Sequence, residues 1–184
     1  MKHLIYMVFA MLIFVSCSSD EPGGKAQNIN LSRSEQEILD AQKDFSVNFF
    51  KSVYASEDAK KNILVSPLSM SMAFSMVANG AEGETLAEIT RALGFTTGEL
   101  EEVNNLNKTL LKRLPAMDSR TTVAIANSIW ADKNSSFNPA FSSTVSGNYD
   151  AETRSVDLYS ESGRKAINDW AKSKTNGMIP NVLT

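Results

Sequence analysis

The chain is poor in the residues that carry most enzyme chemistry. Of its 184 residues, one is a histidine and one a cysteine. These are His3 and Cys17, so nothing after position 17 offers an imidazole or a thiol. That excludes Ser-His-Asp and Cys-His nucleophilic catalysis from the body of the chain. It also excludes zinc sites built on His and Cys, and an internal disulfide, so packing alone must stabilise the fold. Cationic charge is scattered: 18 Lys and Arg stand against 21 Asp and Glu, a formal net charge of −3. A mildly acidic chain without a basic cluster is a poor nucleic-acid binder. The carboxylates fall mainly on helix faces and in loops, where they read as solvated charges rather than an acid/base pair. No enzymatic activity, cofactor, metal or small-molecule substrate is expected, and there is no internal repeat.

What is present begins with an address. Lys2 supplies a positive charge, Leu4 to Val15 is a continuous apolar run, and Ser16 precedes Cys17. This is a signal-peptide plan, and the run is too short for a spanning helix, which needs about 20 residues. It resembles a bacterial lipoprotein signal, in which the cysteine is lipidated and becomes the first residue of the mature chain. Phe14 departs from the leucine usual there, and an ordinary cleaved signal with an incidental cysteine is the other reading. The resemblance implies export, attachment to a membrane through a lipid on Cys17, and a cell-envelope location. Asp20 and Glu21 resemble surface-export signals of some such lipoproteins, or else belong to a solvated tether. Residues 1–16 are thus expected as signal peptide, 17–33 as a flexible Gly/Pro-bearing tether, and 34–184 as one domain.

Within that domain, Ser34-x-x-Glu37 reads as a capping box opening a helix. Its core face carries Ile38, Phe45, Phe49 and Val53, widened by Phe50 and Tyr54. A short strand, Ile63 to Val65, follows. Ser66-Pro67 opens a second helix, with serine suited to the N-cap and proline to the first turn. Met70, Ala73, Phe74 and Val77 recur at helical spacing, and Met72 and Met76 make the other side apolar too, so this helix is expected to be buried on most sides. Asn79-Gly80 ends it. A third helix carries Leu86, Ile89 and Leu93 and stops at Gly94. Thr96-x-x-Glu99 caps a fourth, with Val103, Leu106 and Leu110, ending at Pro115. Thr121 to Trp130 reads as a long strand covered on both faces, with Asn127 either specifically bonded or near a strand end. Asn138-Pro139 starts a short helix with Phe141 and Val145. Ala151 to Leu158 reads as a strand, and Ser160 or Ser162 caps a last helix with Ile167, Trp170 and Ala171 inward. The layout is mixed α/β, with helices over one face of a sheet.

The ordered set of segments resembles the serpin family. It comprises the helix over 37–56, the block NILVSPLSMSMAFSMVANGAEGETLAEITRALGF (62–95), the strand TVAIANSIWAD (121–132) and the segment INDWAKSKTNGMIPNVL (167–183). The resemblance implies the N-terminal half of a serpin fold, a helical cluster packed on part of a large β-sheet. It implies a protease inhibitor whose reactive loop, once cleaved, inserts into that sheet, and a serine or cysteine protease as partner. Asn62, Ser66, Pro67, Ser69 and Gly80 match the part of the family's shutter made by a strand and helix. Asn127, Asn168, Thr175 and Gly177 match polar or turn positions of the second half. The structural reading of all nine is caps, turns and bonded core polar groups; none is a catalyst. The reactive loop of the family lies beyond the region matched, so residues 1–184 alone are expected to be inactive. A non-inhibitory serpin-fold binding or scaffold lipoprotein is the alternative.

Overall fold

The structure, a computed structural model, describes residues 27–58 and 61–184. The expected signal peptide and Cys17 lie outside the described residues. Among the described residues, six helices and two strands are formed: α1 (Arg33–Ser56), α2 (Pro67–Ala78), α3 (Gly83–Leu93), α4 (Leu100–Arg113), β1 (Asn127–Asp132), α5 (Pro139–Tyr149), β2 (Ala151–Val156) and α6 (Glu161–Lys174). Short 3₁₀ turns, Thr97–Glu99 and Leu114–Ala116, flank α4. Helices α1 to α5 gather around one core, in which Ile38, Met72, Met76, Leu93, Val103 and Tyr149 are buried together. Strands β1 and β2 pair in parallel, from Asn127 opposite Ala151 to Asp132 opposite Val156. Parallel neighbours need a crossover, and α5 supplies it.

Most helix ends obey their local chemistry. Ser66 caps α2 with Pro67 in its first turn. The Thr96/Glu99 capping box forms as expected, on the 3₁₀ turn that leads into α4. Asn138 accepts the Ala140 N–H at the start of α5. Of Ser160 and Ser162, Ser160 is the cap of α6 and Ser162 lies in its first turn. The first helix starts earlier than expected. Its capping box is Ser32/Glu35 rather than Ser34/Glu37. Both pairs have the right spacing, and a distant group selects between them: Thr109 on α4 donates to Glu35 at 2.6 Å. Within the stretch expected as tether, the Gln27 N–H donates to the Met117 carbonyl, and Ile29 and Leu31 pack on the core.

Four expectations are corrected. Residues 63–65 form no strand, and Leu64 is 98% exposed, because no strand among the described residues pairs with them. The long strand expected over 121–130 is instead Asn127–Asp132, and its partner stops at Val156 rather than Leu158. Strand extent follows the partner: the register begins at Asn127–Ala151, so residues 122–126 have no ladder to join. In α2 the buried side is Ser71, Met72, Ser75, Met76 and Ala78, while Phe74 and Val77 are exposed. The small serines let α1 and its neighbours approach, and Ser71 bonds Gln42 of α1 directly. In α1 only Ile38 and Gln42 are buried, while Phe50 and Tyr54 face outward. The second half of this 24-residue helix extends past the cover that shelters its first half.

Candidate functional site

Three groups of polar side chains are set at the two ends of α2 and along α6. The first is the N-terminus of α2. The Ser66 hydroxyl accepts the Ser69 N–H at 3.2 Å and shares a 2.9 Å hydrogen bond with the Ser69 hydroxyl. This satisfies part of the row of unpaired donors that opens every helix.

The second group is a network of amides at the other end of α2. Asn79 and Asn104 exchange two hydrogen bonds, at 2.9 and 2.8 Å. The Tyr149 hydroxyl donates to Asn104 Oδ1 at 2.6 Å. Asn127 donates to the Tyr149 carbonyl at 2.8 Å, so Asn127 is both specifically bonded and at a strand end. Four elements, α2, α4, α5 and β1, thereby meet at one point. Burial pushes the Tyr149 phenol up to about 12, with Asn107, Asn79 and Ser75 pulling it back part of the way. It therefore stays a neutral donor at any physiological pH. Tyr149→Phe leaves Asn104 short of a donor in a closed site. The expected loss is about 1–2 kcal/mol of stability, read as a lower urea midpoint with an unchanged slope.

The third group belongs to α6. Asn168 donates to the Leu183 carbonyl and accepts the Val182 and Leu183 N–H groups, all at 2.9 Å. Thr175 donates to the Ala171 carbonyl and accepts the Ile179 N–H. Between these two clamps the chain reverses through Asn176 and Gly177, both at positive φ, and the Gly177 N–H donates to the Lys172 carbonyl. Residues 178–183 are thus tied to the helix that precedes them. The helix is tied in turn to the strands. Trp170 meets Trp130 edge to face at 6.3 Å, Lys174 pairs with Glu152 at 2.7 Å, and Arg154 lies over the Trp130 ring. Lys174 first, then Trp170 and Arg154, hold the Glu152 carboxyl down to about 2.

The sequence-selected residues divide between these groups. Ser69, Asn127 and Thr175 converge on one cavity of about 280 Å³, walled by Ile125, Trp170 and Ile179. Asn168 on α6 and Gly177 in the turn after α6 do not line it. Gly80 belongs to a separate groove beside Phe141, where a Cβ would sit 3.0 Å from the Phe141 ring. Asn62 is exposed in the unpaired segment before α2. Sequence reasoning missed Asn79, Asn104 and Tyr149. The available signal was Asn104 beside Val103 and Leu106, an amide on the apolar face of α4.

The arrangement is a set of polar ties at the ends of α2 and along α6, two of which reach the strand pair. Residues 40–184 match the sequence model of the family described as Serpin (serine protease inhibitor). The chain belongs to the serpin family. Among curated serpins it is 32% identical over 150 residues to the leukocyte elastase inhibitor of Sus scrofa, covering 80% of this chain and 39% of that protein. Among solved serpins it resembles the thermophilic tengpin in the latent state, at 36% identity and TM-score 0.70, covering 85% of this chain and 41% of that one. An Arabidopsis serpin in its native stressed conformation is 27% identical with TM-score 0.73, over 84% of this chain and 40% of that one. The chain spans about two fifths of the length of the serpins it matches. Its fold is that of a partial serpin: a helix-rich cluster with a small sheet.

Proposed function

We propose that this serpin, in its full-length form, inhibits a serine or cysteine protease by loop cleavage and insertion. The carrying observation is the match of residues 40–184 to the family, with relatives named as elastase inhibitors. The ties described above support the reading. Ser66, Pro67, Ser69, Asn127, Asn168, Thr175 and Gly177 cap, orient or clamp the elements beside the strand pair, and Asn62 and Gly80 flank the same helix. We assign these nine residues to the shutter of the fold. Residues 1–184 by themselves supply that platform and not the loop. Incubated with a panel of serine and cysteine proteases, the 184-residue chain is expected to give no SDS-resistant complex, and a product extended through the second half of a serpin is expected to give one. A complex with the short chain overturns the division of labour. No complex with any extended product favours a non-inhibitory binding role.

We further propose that the protein is exported and held on a membrane by a lipid on Cys17, with the acidic residues after it directing it to the outer face of a cell envelope. The apolar run ending at Ser16-Cys17 supports this. Cys17→Ala is expected to move the protein from the membrane to the soluble fraction; equal membrane association of both forms argues against the anchor.

A further inference from the structure

We propose that the C-terminal end of α4 faces the membrane that carries the lipid anchor, and holds its anionic headgroups through Lys108, Lys112 and Arg113. The inference rests on the lipid at Cys17 proposed above, and adds which side of the protein meets that membrane.

The point where the chain joins the body decides the geometry. The Gln27 N–H donates to the Met117 carbonyl at 2.7 Å, just past the 3₁₀ turn that follows α4. Ile29 and Leu31 then pack on the core, and the start of α1 is tied to α4 where Thr109 donates to Glu35 at 2.6 Å. The chain is therefore fastened beside the end of α4 before α1 begins. Only residues 18–26 separate this fastening from Cys17. Even fully extended, that stretch reaches no more than about 35 Å. However the body turns on it, the end of α4 stays within that distance of the anchor.

Charge then selects the side. Lys108, Lys112 and Arg113 are exposed, and none has an ion pair or hydrogen bond among the described residues. Lys108 and Lys112 share one helix face at i, i+4 spacing. Many cations elsewhere are neutralised by a neighbour, as in Lys133–Asp157 and Lys165–Asp169. The acids near the patch are already engaged: Asp118 pairs with Arg120, and Glu35 accepts from Ser32 and Thr109. Counting Arg120, four cations stand here against those two carboxylates. The helix dipole accounts for cations in the last turn of α4 only, and Lys108 lies a turn earlier. Each Lys or Arg held at an anionic lipid surface favours that arrangement about five-fold. The attraction fades within a screening length of about 8–10 Å, and a short link to the same membrane keeps the patch in range.

The test is made on isolated membranes of cells that express the chain with its own leader, so no soluble form is needed. Cys17 is blocked on the anchored reading and the chain has no other cysteine, which makes an introduced thiol unique. Ser119→Cys lies in the exposed stretch after α4. Its rate of modification by a bulky polyethylene-glycol maleimide is read as a gel shift on a blot. Introducing Lys108→Glu, Lys112→Glu and Arg113→Glu together is expected to speed that modification about five-fold or more. Raising salt to about 1 M is expected to do the same, because screening then shortens to about 3 Å. Membrane association stays unchanged in both. Removing cations near a thiol raises its pKa and by itself slows it, so acceleration reports exposure. Ala151→Cys, at a buried position, is expected to stay slow in the charge-reversed chain and so to show its fold intact. If it does not, the salt comparison on the unaltered charges decides. Membrane-bound chains whose Ser119→Cys rate ignores both salt and charge reversal overturn the orientation and leave the anchor standing. Chains absent from the membrane fraction overturn the anchor, and the orientation with it.

Discussion

Gly94→Ala is expected to cost about 3 kcal/mol or more, a large share of the 5–15 kcal/mol that stabilises an ordinary domain. Two effects coincide at this position. Gly94 ends α3 at φ 86, ψ 22, where its N–H reaches the Arg91 carbonyl and the Phe95 N–H reaches Thr90. An L side chain in this left-handed region costs roughly 1–2 kcal/mol. In addition, a Cβ here would lie 2.6 Å from the Ala41 carbonyl oxygen of α1 and 3.2 Å from its carbon. That neighbour is helical backbone, which cannot rotate aside as a side chain can. The α3–α1 contact must therefore open, and Leu93 and Phe95, both buried, lose their packing with it. Gly83→Ala is the matched control. Gly83 also has positive φ, at 58°, but a Cβ there meets nothing within 4 Å. It is expected to cost only the backbone term, about 1 kcal/mol. Pulse proteolysis across a urea series reads both, since cleavage then follows the population of the open chain. Equal effects at the two glycines would mean that α1 yields to α3 without loss.

Gly94 illustrates which features were legible in the sequence. Its role as a helix stop follows from local rules, as do the caps at Ser66, Thr96 and Asn138: each needs only residues within a turn of one another. The same holds for the apolar positions of α4, where the 3.6-residue period marks Val103, Leu106 and Leu110. What was not legible depends on partners far along the chain. Asn104 is 25 residues from Asn79 and 45 from Tyr149, and no period links them. Ser32 rather than Ser34 caps α1 because Thr109 completes the Glu35 site. The apolar face of α2 was misjudged because Ser71 and Ser75, polar by type, form the side of closest approach. The bounds of β1 are set by β2, which local propensity cannot see. The candidate residues come from family resemblance rather than from local rules, and the structure shows what several of them hold. Asn168 and Thr175 fasten the backbone of residues 179–183, and Asn127 fastens the end of α5.

Residues 1–184 produced alone are expected to self-associate. The same misjudged faces are the reason. Phe74 and Val77 of α2 lie on an exposed side of a helix whose residues are apolar or small throughout, and Leu64 stands beside its start almost fully exposed. Phe50 and Tyr54 stack on each other along the outer half of α1 and are also exposed. Met178, Ile179 and Val182 add a further apolar strip on the segment fastened to α6. Contiguous surface of this kind drives association. The extended residues 122–126, without a ladder partner, offer unpaired backbone as a template for it. Expression is expected to give inclusion bodies, or oligomers by light scattering, and co-expression of a serpin C-terminal half is expected to restore solubility. Phe74→Glu with Val77→Lys is expected to lower the oligomer mass, because both positions are exposed and neither belongs to the buried side of α2. A monodisperse wild-type monomer with a sharp cooperative melt would instead make these faces tolerable in water. Residues 27–184 would then be a self-sufficient domain, and a short binding or scaffold protein would become the better reading than a part of an inhibitor.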